Sequence, residues 1–147
     1  NNHYQIVQSP GYVMIMVEMN HDARIIRLDA SHNPENMKPW LGDSVGWWEG
    51  DTLVVKTINH HPQQKFRAAI RHQILMMEDA EVTERFTRTS ETEILYEFEV
   101  NDKKAYRDTW KGEMPLRSTN NKIYEYACHE GNYAMANILA GARAEEK

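Results

Sequence analysis

The feature that most constrains this chain is a two-residue rhythm. Between positions 93 and 100, Ile94, Tyr96, Phe98 and Val100 fall on one side of an extended backbone, while Glu93, Glu97 and Glu99 fall on the other. Successive side chains of a strand point to opposite faces, so this run has one dry face and one wet face, as a half-buried antiparallel strand does. Runs of strand length recur at 4–8, 12–19, 23–29, 44–48, 52–58, 82–89, 106–116 and 122–128, separated by short polar turns. Ser9-Pro10-Gly11 and Glu49-Gly50-Asp51 are the turn signals of two hairpins. The run at 12–19 is apolar on both faces, as a strand covered on both sides is.

Two segments break the rhythm. Phe66, Ile70, Ile74 and Met77 are spaced by four, four and three, which predicts a short amphipathic helix over 66–77. Alanine, leucine and methionine without proline predict a terminal helix over 133–144, docking through Met135, Ile138 and Leu139. The polar stretch 30–43, with Asn33-Pro34 and Lys38-Pro39, reads as irregular. The expectation is therefore one domain over 1–147, mainly β, a meandering antiparallel sheet that closes into a barrel, with one short internal helix and a C-terminal helix. Closure removes the exposed edges that an open sheet presents; a sandwich and a curved open sheet are the alternatives.

Composition narrows the partners. With 147 residues, 41% hydrophobic and 27% charged, the chain can remove roughly 70% of its unfolded surface from water and needs neither metal nor disulfide to fold. A net charge of −5, from 22 acidic and 17 basic residues without a basic stripe, argues against nucleic acid or an anionic membrane surface as partner. The longest apolar run, residues 12–17, is far short of the ~20 residues of a spanning helix. His129-Glu130-Gly131-Asn132 opens like a zinc-peptidase motif but lacks its second histidine, and the other histidines are scattered, so neither a metal nor a cofactor is expected. No Gly-x-Ser-x-Gly, phosphate loop or dinucleotide fingerprint occurs.

Candidate chemistry comes from polar residues that alternation places on apolar faces. Glu84 falls between Val82 and Phe86, and Asp108 between Tyr106 and Trp110. A buried carboxylate must be paired or shift its pKa, so each is either the partner of an inward arginine such as Arg24, Arg67 or Arg71, or an acid/base group. His129, beside Glu130, is the candidate base of a dense cluster spanning 124–133. Cys128 would face away from it in a strand. Tyr96, Phe98, Tyr106, Trp110, Tyr124 and Tyr126 are the candidate ligand-binding rings. Tryptophans and methionines add adaptable apolar surface suited to a pocket or to an ordinary core.

Four stretches carry a resemblance: Asn1 to Gln8; Glu18 to Ile26, which includes His21-Asp22-Ala23-Arg24; Gly42 to Val55, which includes Trp47-Trp48-Glu49-Gly50-Asp51-Thr52-Leu53-Val54-Val55; and Ile123 to Leu139, which opens Ile123-Tyr124-Glu125-Tyr126-Ala127-Cys128-His129-Glu130-Gly131-Asn132-Tyr133. They resemble an uncharacterised bacterial family. The resemblance implies an exported, periplasmic or secreted protein with further chain ahead of Asn1, and no particular activity. Val45 stands where that family often has arginine, and the 66–84 stretch looks longer than its counterpart. Gly46-Trp47-Trp48 is loosely similar to the Gly-x-Trp opening of lipocalin-like barrels, which favours a barrel over a sandwich.

Three functions fit these readings. The first is binding of a small apolar or aromatic molecule inside the barrel. The second is a cofactor-independent lyase, isomerase or hydrolase using Glu84 or Asp108 with His129, and His21 as a further group. The third is an interaction module docking on a segment ahead of Asn1, marked by an exposed apolar patch or a long free edge strand.

Overall fold

The structure, a computed structural model, describes residues 3–63, 76–127, 130 and 133–146. Eight strands run in sequence order across one sheet: β1 Tyr4–Ser9, β2 Tyr12–Val17, β3 Asp22–Leu28, β4 Asp43–Glu49, β5 Thr52–Ile58, β6 Glu81–Arg88, β7 Glu93–Asn101 and β8 Trp110–Arg117. One helix, α1, spans Ala134–Glu145. The sheet curls into a half-barrel of 222°. The mainly β meander and the C-terminal helix match the sequence reading, but closure stops at the half-barrel, with β1 and β8 as the ends of the strand order.

Local chemistry sets the register. Pro10 and Gly11 form the two-residue turn between paired Ser9 and Tyr12, and Gly11 takes the φ of +78° that a side chain resists. The other departure from a simple meander is β3 against β4, which pair in parallel from Ile26↔Ser44 to Leu28↔Gly46. A parallel pair needs a long crossover, and the proline-broken stretch 29–42 supplies it. That stretch returns over the convex face. There Asp43, 4% exposed, accepts from Arg27 Nη2 (2.8 Å), His32 Nδ1 (2.9 Å), the Asn33 amide (2.8 Å) and Asn33 Nδ2 (2.9 Å).

The core lies on the concave face. Val13, Ile15, Ile26, Leu53 and Val55 are buried together, with Leu28 and Phe86 packed against them. Cross-strand pairing continues the row: Leu53 faces Phe86, Val55 faces Glu84, and Glu84 faces Phe98. Glu84 is therefore inside, as alternation predicts, and is buried.

Four expectations are corrected. The strand expected over 106–116 begins at Trp110, because the Asp102 carboxylate accepts the amides of Met77 (2.7 Å), Lys104 and Ala105 (both 3.1 Å) and holds the chain in a turn. Asp108 consequently stands exposed in that turn, and alternation does not carry it inward. Of the strand expected over 122–128, residues 122–127 have no regular structure and Cys128 lies outside the described residues. On α1, Met135, Ile138 and Leu139 are exposed rather than docked. The helix expected over 66–77 falls on residues outside those described, apart from Met76 and Met77, which are not helical. No described helix is long and apolar enough to cross a membrane.

Candidate functional site

Midway along the concave face, one buried carboxylate joins three strands. Glu84 on β6 accepts two hydrogen bonds from Arg24 on β3, Nη1 to Oε2 at 2.5 Å and Nη2 to Oε1 at 3.0 Å, and a third from the Tyr96 hydroxyl on β7 at 2.9 Å. The side chains of Arg24 and Glu84 are 18% and 7% exposed. Burial alone would weaken the Arg24 charge, but Glu84 outweighs it and holds the guanidinium above its ordinary value. Burial, then the Glu84 charge, pushes the Tyr96 phenol well up, so it stays a donor. This fork-and-hydroxyl arrangement pairs the carboxylate and leaves little acceptor capacity for chemistry.

Toward one end of the face, Ser44 Oγ and Thr57 Oγ1 lie 2.8 Å apart, both buried. His60 is beside them, 3% exposed, and neither ring nitrogen has a hydrogen-bond partner among the described residues. The ring is held close by Gly42, whose φ of +71° and approach leave no room for a side chain: a Cβ there would stand 2.9 Å from His60 Nδ1. Burial and then the Arg24 charge hold the His60 ring below its ordinary value. Asp102, Glu84 and the Thr57 backbone pull weakly the other way, the last without hydrogen-bond geometry.

Toward the other end, the half-barrel opens into a cavity of about 1180 Å³. Its apolar wall includes Val13, Ile15, Leu53, Phe86, Ile94 and Leu116, and its polar rim includes His3, Gln8, Trp48 and Arg88. The chain after β8 forms the remaining wall through Ser118, Thr119 and residues 121–123. This strap starts where the Ser118 amide donates to Thr92 O (2.8 Å) and is tied at its far end where the Tyr124 amide donates to Glu18 Oε1 (3.4 Å). Glu18, 4% exposed, also accepts from His3 through its backbone amide (3.3 Å) and meets its ring Nδ1 (2.5 Å). Burial pushes the Glu18 carboxyl up, but the His3 ring and the two amides outweigh it and hold it below its ordinary value.

The residues singled out from sequence divide among these places. Glu84 is in the central cluster, whereas Asp108 is exposed in the turn before β8, so the two carboxylates do not converge. His129 lies outside the described residues, as does Cys128. Tyr96, Phe98, Trp110 and Tyr106 form a ring ladder with Phe86, at centroid distances of 4.9 Å for Phe86–Tyr96, 5.6 Å for Tyr96–Phe98, 5.4 Å for Phe98–Trp110 and 5.9 Å for Tyr106–Trp110. They pack on one another beside the cavity, and none of them lines it. Tyr124 and Tyr126 are exposed, and the Tyr124 amide donates to Glu18.

Sequence reasoning missed Glu18, His60 and Arg88. Glu18 breaks the apolar run that begins at Tyr12, which was the one available signal. His60 follows the strand it serves, where alternation no longer applies. Arg88 carries the Val82, Glu84, Phe86 row one step further, so the two-residue rule does reach it. Among the described residues, no group of three or more His, Cys, Asp or Glu side chains is placed to hold a metal ion. Comparison of the chain with protein families, curated proteins and solved structures gave no match.

Proposed function

We propose that this protein binds a small, predominantly apolar molecule in the open end of the half-barrel. The observation that carries this reading is the cavity itself. At about 1180 Å³ it exceeds the roughly 300–1,000 Å³ of ordinary small-molecule sites, and it joins an aliphatic and aromatic wall to polar and charged groups that include Asp51, Arg88, Glu91, Glu93, Arg117 and Lys122. The saturated Arg24–Glu84–Tyr96 cluster acts as a fixed floor beside it and not as an acid/base pair. Titration calorimetry with two neutral probes, 1-naphthol and decanol, tests the reading. Saturable binding is expected, with a marked loss in Leu116→Trp, which fills the cavity from β8. No binding of either probe, or equal binding by that variant, would overturn it.

A second reading, docking on another polypeptide segment, has its own observation. All six residues of β1 are exposed, and β1 pairs only with β2 among the described strands. An edge of this kind is a template for an added strand. Slowed exchange, on addition of an extended peptide, at the β1 amides that point away from β2 would support this reading, and unchanged exchange at those amides would refute it.

A further inference from the structure

Five arginines lie on the strands, and four of them have a carboxylate. Arg24 pairs with Glu84, Arg27 with Asp43, Arg85 with Glu49 and Arg117 with Glu93. Arg88 is the exception among the described residues: it closes the inward row of β6, lines the cavity, and donates there to backbone carbonyls, Nε to Ser90 O and Nη2 to Glu91 O, both 3.0 Å.

We propose that the cavity takes a molecule with an apolar body and a single carboxylate head, and that Arg88 receives the head. This rests on the reading of the cavity as a binding site. A guanidinium has five N–H donors in a rigid fork, and the two carbonyls occupy the side shared by Nε and Nη2. The end of the fork, between Nη1 and Nη2, keeps its donors, and it matches a carboxylate in geometry. Because the two carbonyls already fix the side chain, a ligand loses less rotamer freedom in ordering it. The wall beneath Arg88 is apolar, Phe86 on the same strand and Ile94 and Leu116 on the next two, so a head at Arg88 places the body along that wall. Asp51, Glu91 and Glu93 also line the cavity, the last paired with Arg117, and the acidic groups disfavour a second negative group on the ligand.

Arg88 is exposed, so the added affinity is modest and sensitive to salt. At low ionic strength and neutral pH, decanoate should bind about fivefold more tightly than decanol. The preference, read as the ratio of the two affinities, should disappear in Arg88→Gln and at high salt. Arg88→Lys, which keeps the charge but not the fork, should retain part of it. Arg117 and Lys122 also line the cavity, so Arg117→Gln and Lys122→Gln are the comparisons, and each should reduce the preference less than Arg88→Gln does. Equal binding of decanoate and decanol by the unsubstituted protein would overturn the anionic head while leaving the apolar cavity standing. A preference that survives Arg88→Gln and vanishes in Lys122→Gln would overturn the assignment to Arg88. Failure of both probes to bind would overturn the cavity reading and this proposal with it.

Discussion

The Tyr124 amide reaches across the mouth of the half-barrel to Glu18 just after β2, and this contact ties the strap after β8 to the opposite side of the sheet. The same carboxylate receives the His3 amide and ring, so it gathers two separate stretches of chain. A curled sheet with two free ends thus gains a side wall without strand pairing between β1 and β8.

Removing one donor tests that tie. Tyr124→Pro deletes the amide hydrogen and leaves Glu18 and His3 in place. Amide exchange over 118–123 should accelerate severalfold in the variant, while exchange in β2 and β5 stays at the unsubstituted rate. Unchanged exchange over the strap would show that the contact does not hold it.

The Arg24–Glu84 pair sets a stability prediction. Removing one partner of a buried pair leaves the other charge without compensation, at a cost of about 3–5 kcal/mol. Glu84→Ala should therefore lose about that much in urea unfolding, and Arg24→Met with Glu84→Leu together should recover most of it, since an apolar pair avoids the desolvation cost. A loss below about 0.5 kcal/mol for Glu84→Ala, the scale of ordinary surface substitutions, would contradict the buried arrangement.

How much of this was legible in the sequence follows from where alternation holds. The inward rows Val82, Glu84, Phe86 and Ile94, Tyr96, Phe98, Val100 were readable because each sits inside an unbroken strand. An inward arginine as partner for Glu84 was readable as one outcome among several, with Arg24, Arg67 and Arg71 as candidates, and the structure selects Arg24. Asp108 was misplaced because the Asp102 side chain competes for backbone amides and delays β8, a local effect that periodicity does not register. The 122–128 run has the composition of a strand but not the pairing, which is a tertiary property. The parallel β3–β4 pair and the degree of curl depend on the crossover and on sheet twist, and neither leaves a period in the sequence. The cavity escaped because its lining comes from both ends of the sheet and from the strap, whereas the rings that stood out in sequence pack on one another.

The response to pH should come in two steps. The His60 ring is held below its ordinary value of 6.5 by burial and by Arg24, so the unfolded chain binds that proton more readily. Its contribution is complete above about 6.5 and is lost as pH falls from there through the lower folded value. Asp43 is pushed up by burial but held net below its ordinary 3.8 by Asn33, His32 and Arg27. Its contribution is present above that value and is lost as pH falls toward and through the folded one. His60→Leu should abolish the first step and keep the second. It should also be at least as stable near neutrality, because both ring nitrogens lack partners among the described residues. Thermal unfolding followed from pH 7 to pH 3 checks this, and a variant that still shows the upper step would refute the role of His60.

Where a neutral ligand lands is the decisive observation. In a two-dimensional amide NMR titration with decanol, the largest shifts should fall on Val13, Ile15, Leu53, Phe86, Ile94 and Leu116, which line the cavity from five strands. Saturable shifts confined to the exposed face of α1 around Met135, Ile138 and Leu139, with the cavity residues unmoved, would contradict binding inside the half-barrel.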